Sequence, residues 1–273
     1  VRMHCGTSTD VRLSPMPTPP CAGPLRPIRE DEIQIYEQDG VVCLRDVFPQ
    51  DWIRFMSEAV EIAMAHPGPH AEEYGANDGS GRFFGDLDIN RRHQAFRSFV
   101  FDSPAAAIAG AVLRANRINF FYDHLLVKEP GATKRTPWHQ DQPYWAVSGN
   151  QVCSVWLPFD PVAKDVSLEF VKGSHKWPEF NPHHFSDGRP YENTGLPPLP
   201  DIEGSREKHD IATFATSPGD CIVFQAMIVH GAPPNHGIDR RRALATRWTG
   251  DDARFRVRSG EMAIPTRDPG LEP

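Results

Sequence analysis

In Trp138-His139-Gln140-Asp141 an imidazole and a carboxylate stand two residues apart, and His230 offers a second imidazole much later in the chain. Residues i and i+2 of a β-strand point to the same face, so His139 and Asp141 are expected to reach one metal from a single strand end. His230 is expected at the end of a strand running through 221–229, from which it completes the set. Two neutral imidazoles and one carboxylate on one face of an octahedron leave positions open for a chelating co-substrate and dioxygen. That is the donor set of the non-haem iron(II) oxygenases. Alone, His-x-Asp is a weak signal, because two polar residues two apart recur by chance and suit a surface turn. The context strengthens it. Pro137 precedes the pair, a strand is expected to open there, and His230 runs into Gly231-Ala232-Pro233-Pro234-Asn235. Gly231 would let the chain leave the metal without a side-chain clash.

Such a set needs a rigid frame. Residues 29–38 (REDEIQIYEQ) are charged and helix-forming, stop at Asp39-Gly40, and precede a strand at 41–44. A second helix is expected from Pro49 to Ala65, ending before Pro67-Gly68, then a loop from His66 to Gly81. Phe83 and Phe84 follow it and need a place to pack, at a binding rim or in the core. A third helix is expected to begin at Ser103-Pro104. After it come short β-branched or aromatic runs at 118–127, 152–157, 166–171, 211–214, 221–230 and 243–248, separated by Pro, Gly and Asp. Helices first and many short strands afterwards predict a mainly β sandwich or barrel with flanking helices. The stretch 177–209 carries no strand signal and reads as a lid or binding segment.

A length of 273 residues, with 39% hydrophobic and 24% charged side chains, suits one globular domain with a sizeable core. The formal net charge of −7 speaks against non-specific nucleic-acid binding, which needs a basic surface. Cys5, Cys21, Cys43, Cys153 and Cys221 show no paired spacing, which points to a reducing, cytoplasmic setting. No run approaches the roughly 18 apolar residues of a membrane span, and no secretory apolar segment opens the chain. Residues 1–25, rich in proline, are expected to be a flexible leader, and 26–273 a single catalytic domain with a lid at about 178–210.

The motifs LLVKEPG (125–131), WHQDQPYW (138–145), VCSVWLPFDPV (152–162), EFVKGSHKW (169–177), PGD (218–220) and VHGAPPN followed by RRRALATRW (229–248) together resemble the phytanoyl-CoA dioxygenase family of iron(II)/2-oxoglutarate oxygenases. The resemblance implies a double-stranded β-helix, the cupin-like jelly roll, with N-terminal helices packed on one sheet and the metal at its open end. It implies iron(II), 2-oxoglutarate and O2 as metal, co-substrate and oxidant. Hydroxylation of an unactivated C–H bond of a small molecule would release succinate and CO2. Metal ligation falls to His139, Asp141 and His230. Arg241 takes the place of the arginine that pairs with the distal carboxylate of 2-oxoglutarate, for which a guanidinium fork is well suited. Alternation would turn Arg240 and Arg242 to the other face. Trp156 and Leu125 match positions near the co-substrate, though either also suits the core. Gln140 and Gln142 are expected in structural roles, Tyr144 and Trp145 on the pocket floor, His175 as a structural residue, and His183, His184 and His236 in loops. Arg189, Arg206, Lys208 and His209 of the lid could meet an anionic substrate. The presence of Asp141 favours hydroxylation over halogenation, in which relatives carry a small residue there. A cupin-type enzyme without 2-oxoglutarate leaves Arg241 unexplained, and a non-catalytic jelly-roll binding protein has no need of an intact triad. Desaturation, epoxidation and ring formation stay open with the same triad, and substrate identity, oligomeric state and the metal a purified sample carries are not legible.

Overall fold

The computed structural model describes residues 17–20, 23–74, 81–185 and 187–260. Helix α1 (Glu30–Asp39) stops at Gly40, whose φ of +82° suits glycine and whose N–H donates to the Tyr36 carbonyl at 2.8 Å. A Cβ at Gly40 would run into the ring of His175. The chain thereby turns directly into strand β1 (Val41–Leu44). Helix α2 (Gln50–Ala65) buries Trp52, Ile53, Phe55, Met56, Ala59, Val60 and Ala63 along one stripe. Completely burying side chains such as Trp52 and Met56 contributes about 1.5–3 kcal/mol each.

Two elements depart from the sequence reading in this part of the chain. The expected loop 66–81 contains a short edge strand, β2 (Ala71–Glu73), paired with β3 (Phe83–Leu87). Helix α3 (Gln94–Asp102) was not legible, because QAFRSFVFD is as aromatic and β-branched as a strand; packing of Phe96, Phe99 and Val100 against α2 decides it. Helix α4 (Ala105–Leu113) follows, and the Ser103 hydroxyl accepts the Ala105 N–H at 3.3 Å.

The remaining strands are β4 (Asn119–Lys128), β5 (Thr136–His139), β6 (Val147–Ser148), β7 (Val152–Pro158), β8 (Glu169–Val171), β9 (Ile211–Thr213), β10 (Cys221–Gln225), β11 (His230–Ala232), β12 (Arg241–Thr249) and β13 (Arg254–Phe255). They form an antiparallel sheet ordered β1-β10-β7-β12-β4-β3-β2, a second antiparallel sheet ordered β5-β11-β8-β9, and a β6-β13 pair. The expected strand at 166–171 begins only at Glu169, since Lys164–Val166 is a 3-10 turn.

Strand alternation divides the core. Leu244 and Trp248 of β12, with Leu125 and Val127 of β4, pack against the helices, whereas Ala243 and Ala245 join Trp156, Phe170 and Phe224 between the sheets. This is the mainly β jelly roll with N-terminal helices on one sheet that the sequence led us to expect. Among the described residues, 178–210 carry no extended strand, only the 3-10 segment Glu203–Lys208. Of the expected leader, residues 1–16, 21 and 22 lie outside the described residues, and the Leu25 N–H donates to the Val47 carbonyl at 3.0 Å. Among the described residues, no single helix is long and apolar enough to cross a membrane.

Candidate metal centre

Strands β5 and β11 pair antiparallel with His139 opposite His230, which sets the two rings 4.2 Å apart, centroid to centroid. The expected route of Asp141 to the site needs correction. The pair does not open a strand: β5 ends at His139, and Asp141 follows in a helical conformation (φ −73°, ψ −47°) at the start of the 3-10 turn Gln142–Tyr144. The Asp141 and Gln142 N–H groups both donate to the Ala226 carbonyl at 2.9 Å, so a backbone anchor rather than strand alternation aims the carboxylate. Nor does His230 end the strand that begins at Cys221. That strand stops at Gln225, a turn intervenes, and His230 opens β11. The Asp141 Oδ1 lies 3.3 Å from His139 Nε2 and 3.8 Å from His230 Nε2, with all three residues buried.

The hydrogen bonds reveal which ring nitrogens are free. His139 Nδ1 lies 2.8 Å from the Pro137 carbonyl and His230 Nδ1 lies 3.0 Å from the Ile228 carbonyl. A carbonyl only accepts, so each Nδ1 carries its proton, and in a neutral ring Nε2 is a bare lone pair. Burial, then the neighbouring His139, pushes His230 down to about 3, so that ring is neutral. Burial would raise the Asp141 carboxyl, but its polar and charged surroundings, the Arg247 guanidinium 3.9 Å away among them, outweigh it and hold the group ionised well below the usual range. Acceptor atoms therefore converge, within 4.8 Å of one another, on a point that a cation would satisfy. Ser154 Oγ donates to the other Asp141 oxygen at 3.2 Å and steadies the carboxylate.

A cavity of about 250 Å3 opens from these three residues between the sheets. Arg241, 7% exposed, lines it; its guanidinium bonds the Val166 carbonyl, and no carboxylate pairs with it among the described residues. Burial lowers it to about 10, which leaves it a cation at neutral pH. Arg240 and Arg242 turn away as alternation requires: Arg240 pairs with Glu61 and Glu129, and Arg242 with Asp160 and Glu61. Trp156 lines the cavity. Leu125 does not. It is wholly buried on the helix-facing side of β4, and the residues that this strand turns to the cavity are Tyr122, His124, Leu126 and Lys128.

Tyr144 and Trp145 line the cavity as expected, and so do Phe83, His183 and His184, whereas Phe84 is core. Gln140 anchors the 178–210 segment, donating to the Pro178 carbonyl at 3.1 Å and accepting the Phe180 N–H at 2.9 Å, while Gln142 is buried. His175 contacts the Glu37 carbonyl at 3.3 Å, a structural place. None of Arg189, Arg206, Lys208, His209 and His236 lines the cavity; Arg206 pairs with Glu169 and Glu203, and Arg189 with Asp187. Sequence reasoning missed Lys128, His124 and Arg247. Counting in twos along β12 from Arg241 reaches Arg247, and along β4 from Lys128 reaches His124, so alternation held the signal once either strand's facing was known.

The model of the phytanoyl-CoA dioxygenase (PhyH) family matches residues 36–243. The multifunctional dioxygenase ausE of Aspergillus calidoustus is 25% identical over 264 residues, covering 88% of this chain and 77% of that protein. The multifunctional dioxygenase prhA of Penicillium brasilianum is 31% identical over 231 residues, covering 79% of this chain and 70% of that protein. Among solved structures, the non-heme alpha-ketoglutarate-dependent carbocyclase SnoK from nogalamycin biosynthesis shares the fold, with a TM-score of 0.71 at 18% identity over 90% of this chain and 92% of that one. The matched segment spans most of the chain, including all three converging residues, and the chain belongs to the phytanoyl-CoA dioxygenase family.

Proposed function

We propose that this dioxygenase uses iron(II) and 2-oxoglutarate to hydroxylate an unactivated C–H bond of a small organic molecule. The observation that carries the reading is one cavity that holds three converging acceptor groups and a buried arginine with no carboxylate partner among the described residues. His139 and His230 would bind the metal through Nε2 and Asp141 through a carboxylate oxygen. Arg241 would take the distal carboxylate of 2-oxoglutarate, since a buried guanidinium gains most from a charged, bidentate partner. Ala243 and Ala245, small and on the same face of β12, leave room for the body of the co-substrate, and Trp156 walls it. When bound, the pair supplies the oxidation: one atom of O2 enters the substrate as hydroxyl and the other enters succinate, with CO2 leaving.

The protein's own residues then orient and exclude. Ser154 and the Ala226 carbonyl hold Asp141, while Tyr144, Trp145 and Phe185 wall the cavity with aromatic surface that keeps bulk water from the reacting bond. Residues 26–273 serve as one catalytic domain with 178–210 as its lid, tied to the ligand turn through Gln140. Cys43, Cys153 and Cys221 are free thiols, in keeping with a cytoplasmic setting.

Anaerobic titration with iron(II) and 2-oxoglutarate tests the assignment. A weak visible charge-transfer band that requires both additions is expected in wild type. Arg241→Gln should weaken 2-oxoglutarate binding roughly ten- to hundredfold, the loss of one charged hydrogen-bonded pair. Folded wild-type protein that develops no band would sink the reading.

A further inference from the structure

Resting on the iron and 2-oxoglutarate reading, a second buried cation in the same cavity bears on the substrate. Strand β12 turns Arg241, Ala243, Ala245 and Arg247 to the cavity, so two arginines bracket two alanines. The arginine Cα atoms are about 20 Å apart at an ordinary strand rise, and Arg247 stands at the metal end. It is 5% exposed, and the hydrogen bond it makes runs to the Ala245 carbonyl of its own strand at 2.8 Å. Its nearest carboxylate oxygen, Asp141 Oδ2, lies 3.9 Å away and already accepts the Ser154 hydroxyl. Among the described residues, the Nε of Arg247 has no partner, and neither do the buried Nε2 atoms of His124 and His183, which line the same cavity. The face of Tyr122 lies 4.9 Å from the guanidinium carbon.

Charge counting sharpens the point. With the cavity loaded, the two positive charges of the metal and that of Arg241 balance Asp141 and the two carboxylates of 2-oxoglutarate. Burial, then Arg241, pushes Lys128 down to about 5, so it adds no charge at neutral pH. Among the described residues, one buried positive charge, that of Arg247, stays without a buried counter-charge, which is costly away from water; Glu72, the other carboxylate that lines the cavity, is exposed to solvent. That end is otherwise mostly aromatic, with Tyr74, Tyr122, Tyr144, Trp145 and Phe185, and the exposed Glu72 stands beside Tyr74.

We propose that the substrate is an organic monoanion, a carboxylic acid with a ring-sized apolar body, whose carboxylate docks on Arg247 beside His124 and His183. Because Arg247 reaches to within 3.9 Å of the carboxylate expected to bind the metal, the C–H bond brought to the oxidant lies only a few bonds from that acid group.

The test measures binding rather than turnover. Anaerobic protein saturated with iron(II) and 2-oxoglutarate is titrated with phenylacetate, cyclohexanecarboxylate and the corresponding amides, following the fluorescence of Trp145 and Trp156. Each acid should bind at least about tenfold more tightly than its amide, the difference that a charged hydrogen bond to guanidinium makes. Arg247→Gln should reduce the preference to about threefold or less, and Arg247→Lys should retain most of it. Acids that bind no better than amides in wild type, including acids that do not bind at all, would overturn the proposal. So would an undiminished preference in folded Arg247→Gln; if that variant does not fold, the wild-type ratio decides alone. Titrating 2-oxoglutarate in the same samples separates the two readings. If it fails to bind wild type, the co-substrate assignment falls, and the acid–amide comparison, repeated in Arg241→Gln without co-substrate, still decides the role of Arg247.

Discussion

Two carboxylates of this chain illustrate how burial alone does not set ionisation. Asp141 is held ionised by polar and charged surroundings that include the Arg247 guanidinium, against the effect of burial. Asp123, on the opposite face of its strand from the cavity, is equally buried but has no cation beside it. It accepts the Asn90 backbone and side-chain N–H groups, each at 3.0 Å, and burial still pushes it up from 3.8 to about 6. Between those values the folded protein keeps a proton that the unfolded chain has released. The stability from protonated Asp123 is therefore complete below the lower value and is lost as pH rises through the upper. Unfolding free energy of wild type minus that of Asp123→Asn should fall by roughly 1–3 kcal/mol from pH 4 to pH 6 and stay flat above pH 7. Denaturant melts across that range would refute the assignment if the difference were constant.

The element that makes the centre is the β5-β11 pair, in which the register, rather than any one ligand, decides how the imidazoles meet. Gly231 controls how closely these strands approach: a Cβ there would stand 3.0 Å from the Thr136 carbonyl oxygen and 3.5 Å from that of Pro137. Backbone cannot swing aside as a side chain can. Gly231→Ala should thus push β11 from β5 and open the angle between His139 and His230. Metal affinity is expected to drop about tenfold or more while the fold persists, as happens when the supports of a ligand are disturbed. Competition titration against a chelator checks this, and an unchanged affinity would show that the strands part without moving the rings.

Across the whole molecule, Arg258 links its own segment to residue 179 of the 178–210 stretch and to the turn that carries Asp141. It spends every N–H it has: Nε on the Trp145 carbonyl at 2.9 Å, one terminal nitrogen on both Glu179 oxygens at 2.8 Å, the other on the Gln142 and Val147 carbonyls at 2.8 and 3.1 Å. Arg256 adds a third bond to Glu179 at 2.8 Å. Removing one fully satisfied, nearly buried guanidinium strands the partners it served, a loss of about 3–5 kcal/mol for a buried pair. Arg258→Ala should lower the melting temperature by several degrees and speed limited proteolysis within 178–200 several-fold. A proteolysis rate equal to that of wild type would mean that the Gln140 contacts hold the 178–210 stretch unaided.

Much of this was legible in the residues. The three groups that converge, the arginine that turns inward and the two that turn outward, the order of most helices and strands, and the lack of an extended strand among the described residues of 178–210 follow from residue chemistry, local periodicity and family resemblance, all of which live within the chain. What failed depended on distant partners. Helix α3 was settled by packing against α2, the short β2 by pairing with β3, and the aim of Asp141 by the carbonyl of Ala226. Leu125 and its neighbours exchanged places because a shift of one residue reverses a strand's faces, and only pairing across the sheet decides which face meets the cavity. Composition and spacing determine which groups a strand can offer; the tertiary structure decides the side to which it offers them, because burial on one face is a property of the whole sandwich.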